Sequence, residues 1–144
     1  MHIEDVQTRL ALVYATGTAD RNGVVIDMAN SDYVKFVVTF AAVAAGSVVS
    51  VKAQQGDAAN LSDAADLAGT GITVAADDDD QVFVIAITKP AKRYVRVVID
   101  NDASNATAQS ATAELGGTRI KKALKSVTDE VTVEIHQSPA EGTA

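Results

Sequence analysis

The chain of 144 residues lacks cysteine and tryptophan and has only two prolines, three phenylalanines and three tyrosines. Without cysteine there can be no disulfide, no Cys-ligated zinc and no thiol nucleophile. The only histidines are His2 and His136, and neither has a nucleophile and an orienting group placed near it in a known catalytic pattern. The sequence also has no G-x-S-x-G nucleophile elbow and no phosphate-binding glycine loop. We therefore predict a protein that is not an enzyme and binds no cofactor or small-molecule substrate.

Positive charge is also scarce, since 12 Lys and Arg face 19 Asp and Glu and give a formal net charge of −7. Nucleic-acid binding needs a basic surface, so this balance argues against a nucleic-acid partner. No apolar run reaches the ~18 residues of a membrane-spanning helix. Residues 1–10 contain no apolar leader core, so we expect neither a secretory leader nor a membrane partner.

Alternation of apolar and polar residues is the main positive signal. Val95, Val97 and Ile99 fall on one face of a strand that begins near Tyr94, and Phe36 and Phe40 are in phase on another. Together with these two, the predicted strands cover residues 7–18, 24–28, 33–43, 48–54, 72–75, 81–88, 94–100 and 107–115. Short strands separated by Gly, Asn and Asp turns indicate an all-β protein, an antiparallel β-sandwich of jelly-roll-like type with a C-terminal extension.

Three finer predictions concern two connections between strands and the burial of one strand. Asn22 and Gly23 form a two-residue hairpin signal, because both tolerate positive φ. Residues 33–43 and 48–54 are predicted to form one hairpin with a short loop. Residues 81–88 are apolar on both faces, which predicts a fully buried strand.

Acidic residues cluster in two places. Residues 77–80 are four consecutive aspartates, which we interpret as a solvated turn, since the spacing of a calcium loop is absent; a cation site is the alternative. Asp57, Asp63 and Asp66 lie in a long loop and are expected to be solvated or to form local turns, because no paired-carboxylate pocket accompanies them.

Two groups of residues are candidates for partner contacts. One is the basic and aromatic group on the predicted strand at 92–100, and the other is a basic segment beyond the glycine pair 116–117. A solvated surface is the alternative for both groups, although Tyr and Arg are favoured contact residues. The candidates are Lys92, Arg93, Tyr94, Arg96, Arg119, Lys121, Lys122 and Lys125. We expect a sandwich domain over residues 1–117 and an arm over residues 118–144, whose alternating stretch near 131–135 could add to the sheet edge of a neighbour.

Three segments together resemble a known family. Residues 33–40 read Y-V-K-F-V-V-T-F, residues 49–57 read V-S-V-K-A-Q-Q-G-D, and residues 92–97 read K-R-Y-V-R-V. Their order is similar to that in the decoration or cement proteins of tailed bacteriophage heads, over roughly residues 20–117. The chain departs from the pattern at residues 54–57, where a second Asp is missing, and in the additional residues 118–144.

The resemblance implies a β-sandwich that assembles as a homotrimer and binds the major capsid protein on the outer surface of the virion. Such a protein is made in the host bacterial cytoplasm and stabilises the capsid against internal pressure. A second interpretation is a β-sandwich binding module of a phage tail, connector or adhesin that recognises a glycan or protein receptor. That module would present several aromatic side chains in a groove, and this chain has few.

Overall fold

The computed structural model describes residues 6–117, and every regular element in this part of the chain is a β-strand. The strands are β1 Gln7–Gly17, β2 Arg21–Asn22, β3 Ile26–Asp27, β4 Tyr33–Val43, β5 Val49–Gly56, β6 Ala65–Asp66, β7 Ile72–Val74, β8 Gln81–Thr88, β9 Tyr94–Asp100 and β10 Thr107–Gly116. The first sheet has the order β1-β10-β4-β8. The second has β9 and β5 at its centre, flanked by β2 and β3 on one side and by β6 and β7 on the other. All pairings are antiparallel.

The two sheets enclose one core built from their facing residues. Val34, Phe36, Val38 and Phe40 of β4 are fully buried, and Val97 of β9 is buried from the opposite sheet. The ring of Phe40 meets that of Phe83 edge to face, with centroids 5.6 Å apart, which is a favoured aromatic geometry. The predicted all-β sandwich and the core positions of the two phenylalanines are therefore confirmed.

The chain passes repeatedly from one sheet to the other. β1 lies in the first sheet, β2 and β3 in the second, β4 in the first, β5 to β7 in the second, β8 in the first, β9 in the second and β10 in the first. This connectivity is that of a jelly roll, in which most neighbouring strands are distant in sequence.

Two predicted connections are wrong. β4 and β5 do not form a hairpin, because β4 pairs with β10 and β8 while β5 pairs with β9. Asn22 and Gly23 do not form a hairpin turn either: Arg21 and Asn22 are themselves a short strand on β9. In both places local turn chemistry is overridden by pairing with strands far along the chain.

The prediction for residues 81–88 is wrong in its burial. β8 lies at the edge of the first sheet and pairs only with β4 within residues 6–117. Ile85 is buried, but Val82 and Val84 on the opposite face are 56% and 49% exposed. The strand is apolar on both faces although only one of them is covered.

Candidate interaction surface

The predicted basic and aromatic group lies at the start of β9, where most of its charges are already paired. Arg93 donates two hydrogen bonds to Asp27, from Nε to Oδ1 at 2.9 Å and from Nη2 to Oδ2 at 2.8 Å. The Arg93 guanidinium also lies 5.2 Å from the centroid of the Tyr94 ring, within cation–π range. These hydrogen bonds lower the pKa of Asp27 and raise the pKa of Arg93. The bidentate pair fastens β3 to the start of β9.

The other two cations of the group face the neighbouring strand and loop. Arg96 donates to Gln54 Oε1 from Nε at 2.9 Å and from Nη2 at 2.7 Å, across the β9–β5 ladder. The Lys92 ammonium lies 3.2 Å from Asp57 and 3.9 Å from Asp63. The structure thus brings the four predicted residues Lys92, Arg93, Tyr94 and Arg96 onto one end of the second sheet.

Carboxylates organise the loop that Lys92 contacts. Asp63 accepts hydrogen bonds from the backbone nitrogen of Asp57 at 2.8 Å and from that of Ala58 at 3.1 Å. These two bonds are the main reason that the pKa of Asp63 is lowered. Asp63 therefore acts locally, as the sequence predicted, whereas Asp57 pairs with Lys92, and Asp66, which lies in β6, pairs with Lys52 of β5.

A second cluster of charge lies farther along β5. The Lys52 ammonium is 2.8 Å from Asp100 and 3.1 Å from Asp66, and these contacts raise the pKa of Lys52. Gln54 donates to Asp66 at 2.7 Å, which together with Lys52 lowers the pKa of Asp66. The outer face of the second sheet is a network of mutually satisfied polar side chains.

A shallow cleft lies beside this surface, between residues 28–32 and 89–93. Asp32 and Lys89 line it together with Lys92 and Arg93. Lys92 and Arg93 are already paired with aspartates outside the cleft.

The acidic turn before β8 uses two of its four aspartates to hold backbone. Asp79 accepts a hydrogen bond from the nitrogen of Val43 at 2.6 Å, and Asp78 accepts one from Ala75 at 2.7 Å. Within residues 6–117, no three His, Asp or Glu side chains are grouped so that they could hold a metal ion. The same part of the chain contains no helix long and apolar enough to cross a membrane.

The edge of β8 that has no strand partner within residues 6–117 is a surface that the sequence prediction missed. Its residues alternate between Val82, Val84 and Ala86 outside and Phe83, Ile85 and Ile87 toward the core. The signal in the sequence was the absence of charge between the acidic turn and Lys89. Periodicity alone cannot distinguish an apolar edge strand from a central one.

Arg119, Lys121, Lys122 and Lys125, and the whole predicted arm over residues 118–144, lie outside the described residues. Their proposed role in partner contacts stays a prediction.

Comparison with known proteins shows a likeness in fold. No protein-family description matches the sequence, and no curated protein matches it. Among solved structures, the chain is similar to the PBSX exported protein XepA, with a TM-score of 0.59 and 14% sequence identity. The alignment covers 96% of this chain and 46% of XepA, so this chain spans just under half the length of that protein. At this identity the likeness establishes a shared β-sandwich fold.

Proposed function

We propose that this chain is a non-enzymatic structural protein of a bacteriophage particle. The observation that carries the proposal is the similarity in fold of almost the whole chain to the PBSX exported protein XepA, beside the three segments that resemble phage head proteins. The polar side chains of the outer surface are consistent with this role, since Arg93, Arg96 and Lys92 bind neighbouring Asp and Gln side chains of the same domain.

More specifically, we propose that it decorates and stabilises the outer surface of a tailed-phage capsid. The three segments that resemble decoration proteins form β4, β5 and the start of β9, which are the central strands of the two sheets. The partners would be the major capsid protein and further copies of the chain, with the homotrimer that the resemblance implies. The chain would be made in the bacterial cytoplasm and end on the virion.

The predicted contact residues suit such a role in different ways. Arg93 lies over the Tyr94 ring and is held by Asp27, and Arg96 is held by Gln54, so ordering these side chains on binding should cost less free energy. Arg119, Lys121, Lys122 and Lys125 would supply longer-range attraction to an acidic shell.

The competing candidate is a receptor- or glycan-binding module of a tail, connector or adhesin. XepA is an exported protein, and export does not distinguish a capsid role from a receptor-binding role. Glycan grooves use exposed aromatic side chains, but here Phe36 and Phe40 are buried, and Tyr14 at 62% exposure is the only mostly exposed ring of the six, all of which lie in the described part. This favours the structural role.

The experiment is to locate the protein on particles. Particles from the phage-producing strain would be purified on a density gradient and probed with antibody against the chain, with the major capsid protein as a marker. We expect the chain in the particle fraction and antibody label over the head in electron micrographs. Label confined to the tail would favour the receptor-binding candidate, and absence from particles would contradict both.

A further inference from the structure

The two edges of the first sheet are built differently. β1, at one edge, is interrupted by register shifts between Leu10 and Leu12 and between Leu12 and Ala15. Its backbone is also covered: Arg21 Nη2 donates to the Val13 carbonyl at 2.6 Å, and the Val24 nitrogen donates to the Ala11 carbonyl at 2.8 Å. Bulges and capped carbonyls are ways in which proteins prevent an edge from pairing with another chain.

β8, at the other edge, has none of these protections within residues 6–117. Its register with β4 runs without interruption from Phe40 opposite Gln81 to Tyr33 opposite Thr88. Its eight residues include no charge, proline or glycine. The outward-facing Val82 and Val84 are about half exposed, and Ala86 is exposed beside them. A long, regular, apolar edge of this kind is a template for strand addition.

Charge at the two ends of β8 identifies the strand that fits. The four aspartates of residues 77–80 precede β8, whereas Lys89 follows it directly. Within residues 6–117, no ion pair uses Asp77, Asp80 or Lys89. A partner strand should therefore carry cations beside the start of β8 and carboxylates beside its end.

We propose that β8 pairs antiparallel with β8 of a second copy of this chain, which joins the two first sheets into one eight-stranded sheet. In this arrangement the acidic turn of each copy lies beside the Lys89 end of the other, so both ends are complementary. A parallel pairing would bring the two acidic turns together and is disfavoured by like-charge repulsion.

The side-chain pattern restricts the register of this pairing. Residues directly opposite each other in a sheet point to the same face, and a slip by one residue would turn the core side chains outward. The twofold axis must therefore lie where one residue of β8 is directly opposite the same residue of the second copy, and not midway between two consecutive positions. An axis at Val84 places the two Val84 side chains opposite each other on the outer face, with Val82 opposite Ala86 of the second copy.

The contact is isologous and closes on two copies. The contact does not depend on the proposed function. If the chain also forms trimers, these need a different surface, and the β8 contact would then join one trimer to the next.

The test is the association state of the purified full chain. We expect wild-type protein to associate reversibly with increasing concentration in sedimentation equilibrium. Val84→Lys places two ammonium groups against each other at the axis and should weaken association at least about tenfold. Val13→Lys is the matched control, because Val13 is 62% exposed on the protected edge, and it should associate as the wild type does.

A second readout locates the contact. Because the chain has no cysteine, Val84→Cys and Val13→Cys each carry a single spin label. We expect a short distance between labels at position 84 and none at position 13. If Val84→Lys fails to fold by circular dichroism, Ala86→Lys replaces it, since Ala86 is also exposed on the outer face.

Three outcomes would overturn the proposal. Wild-type protein that stays monomeric would mean that β8 is covered by something else, such as residues 128–137 of the same chain. Association unchanged by both lysine variants would place the contact elsewhere. A short distance at position 13 but not at position 84 would assign it to β1.

Discussion

Gly23 connects the two sheets through backbone hydrogen bonds. Its nitrogen donates to the carbonyl of Val97 in β9 at 2.8 Å, and the next nitrogen, of Val24, donates to Ala11 in β1 at 2.8 Å. A Cβ at position 23 would lie 2.8 Å from the Val97 oxygen and 3.1 Å from the Ala11 oxygen. Both are backbone atoms of packed strands and cannot move aside without disturbing the strand pairing.

We therefore predict that Gly23→Ala destabilises the domain by about 1–3 kcal/mol, the usual range for overpacking. Urea unfolding followed by circular dichroism would measure the change. Gly17→Ala is the control, because a Cβ there meets nothing within 4 Å and the residue has no positive φ. Equal stability of the two variants would show that the backbone at Gly23 yields easily.

At the scale of elements, the loop after β5 depends on an ionised carboxylate. Asp63 binds two backbone nitrogens, and its pKa is lower in the folded chain than in the unfolded chain. As the pH falls, the unfolded chain therefore takes up this proton first. The stabilisation from Asp63 is fully present above the unfolded-state pKa of about 4 and is lost as the pH falls below it, toward the lower pKa of the folded chain.

We predict that Asp63→Asn is less stable than the wild type at neutral pH but loses less stability between neutral and acid pH. Asparagine keeps one acceptor oxygen and has no proton to gain. Thermal unfolding at a series of pH values, with protein dilute enough to be monomeric, would measure this. Asp77→Asn is the control, since Asp77 makes no hydrogen bond or ion pair within residues 6–117. Parallel pH profiles for wild type and Asp63→Asn would contradict the prediction.

The strands themselves could be predicted from the sequence, because burial on one face leaves a period of two. β4 was predicted with the bounds Tyr33–Val43 that the structure has, and Phe36 and Phe40 were placed correctly in the core. The pairing of the strands could not be predicted in the same way. Whether β5 follows β4 in one sheet or crosses to the other depends on partners such as β9 and β10, whose paired residues are at least 38 positions away in the sequence.

The side-chain contacts on the surface could be predicted only in part, because they too depend on which strands pair. Alternation placed Tyr94 and Arg96 on the polar face of β9, but it could not show that Arg93 would meet Asp27 or that Arg96 would meet Gln54. Those contacts come from strand register. The exposure of β8 was missed because an apolar strand has the same sequence pattern at an edge and at the centre of a sheet.

At the scale of the whole molecule, the last strand within residues 6–117 ends next to the start of β4. β10 ends at Gly116 beside Tyr33, Gly117 takes a positive φ of 70°, and the nitrogen of Asp32 donates to the Gly116 carbonyl at 3.0 Å. Among the described residues, the core cluster runs from Ala11 to Leu115. We predict that the first 117 residues fold without the remainder.

From this we predict that a chain truncated after Gly117 keeps its cooperative unfolding but binds undecorated capsids more weakly than the full chain. Arg119, Lys121, Lys122 and Lys125 are lost in the truncation, so the difference should shrink at high salt, where attraction between exposed charges is screened. Cosedimentation with capsids at low and high salt would measure it, and a full chain with glutamine at these four positions separates charge from length.

If the glutamine chain binds like the truncated one, the four cations account for the effect; if it binds like the wild type, the rest of the segment does. Equal binding of truncated and full chains at both salt concentrations would mean that residues 118–144 do not contribute to attachment, and the contact would then have to lie on the sandwich itself.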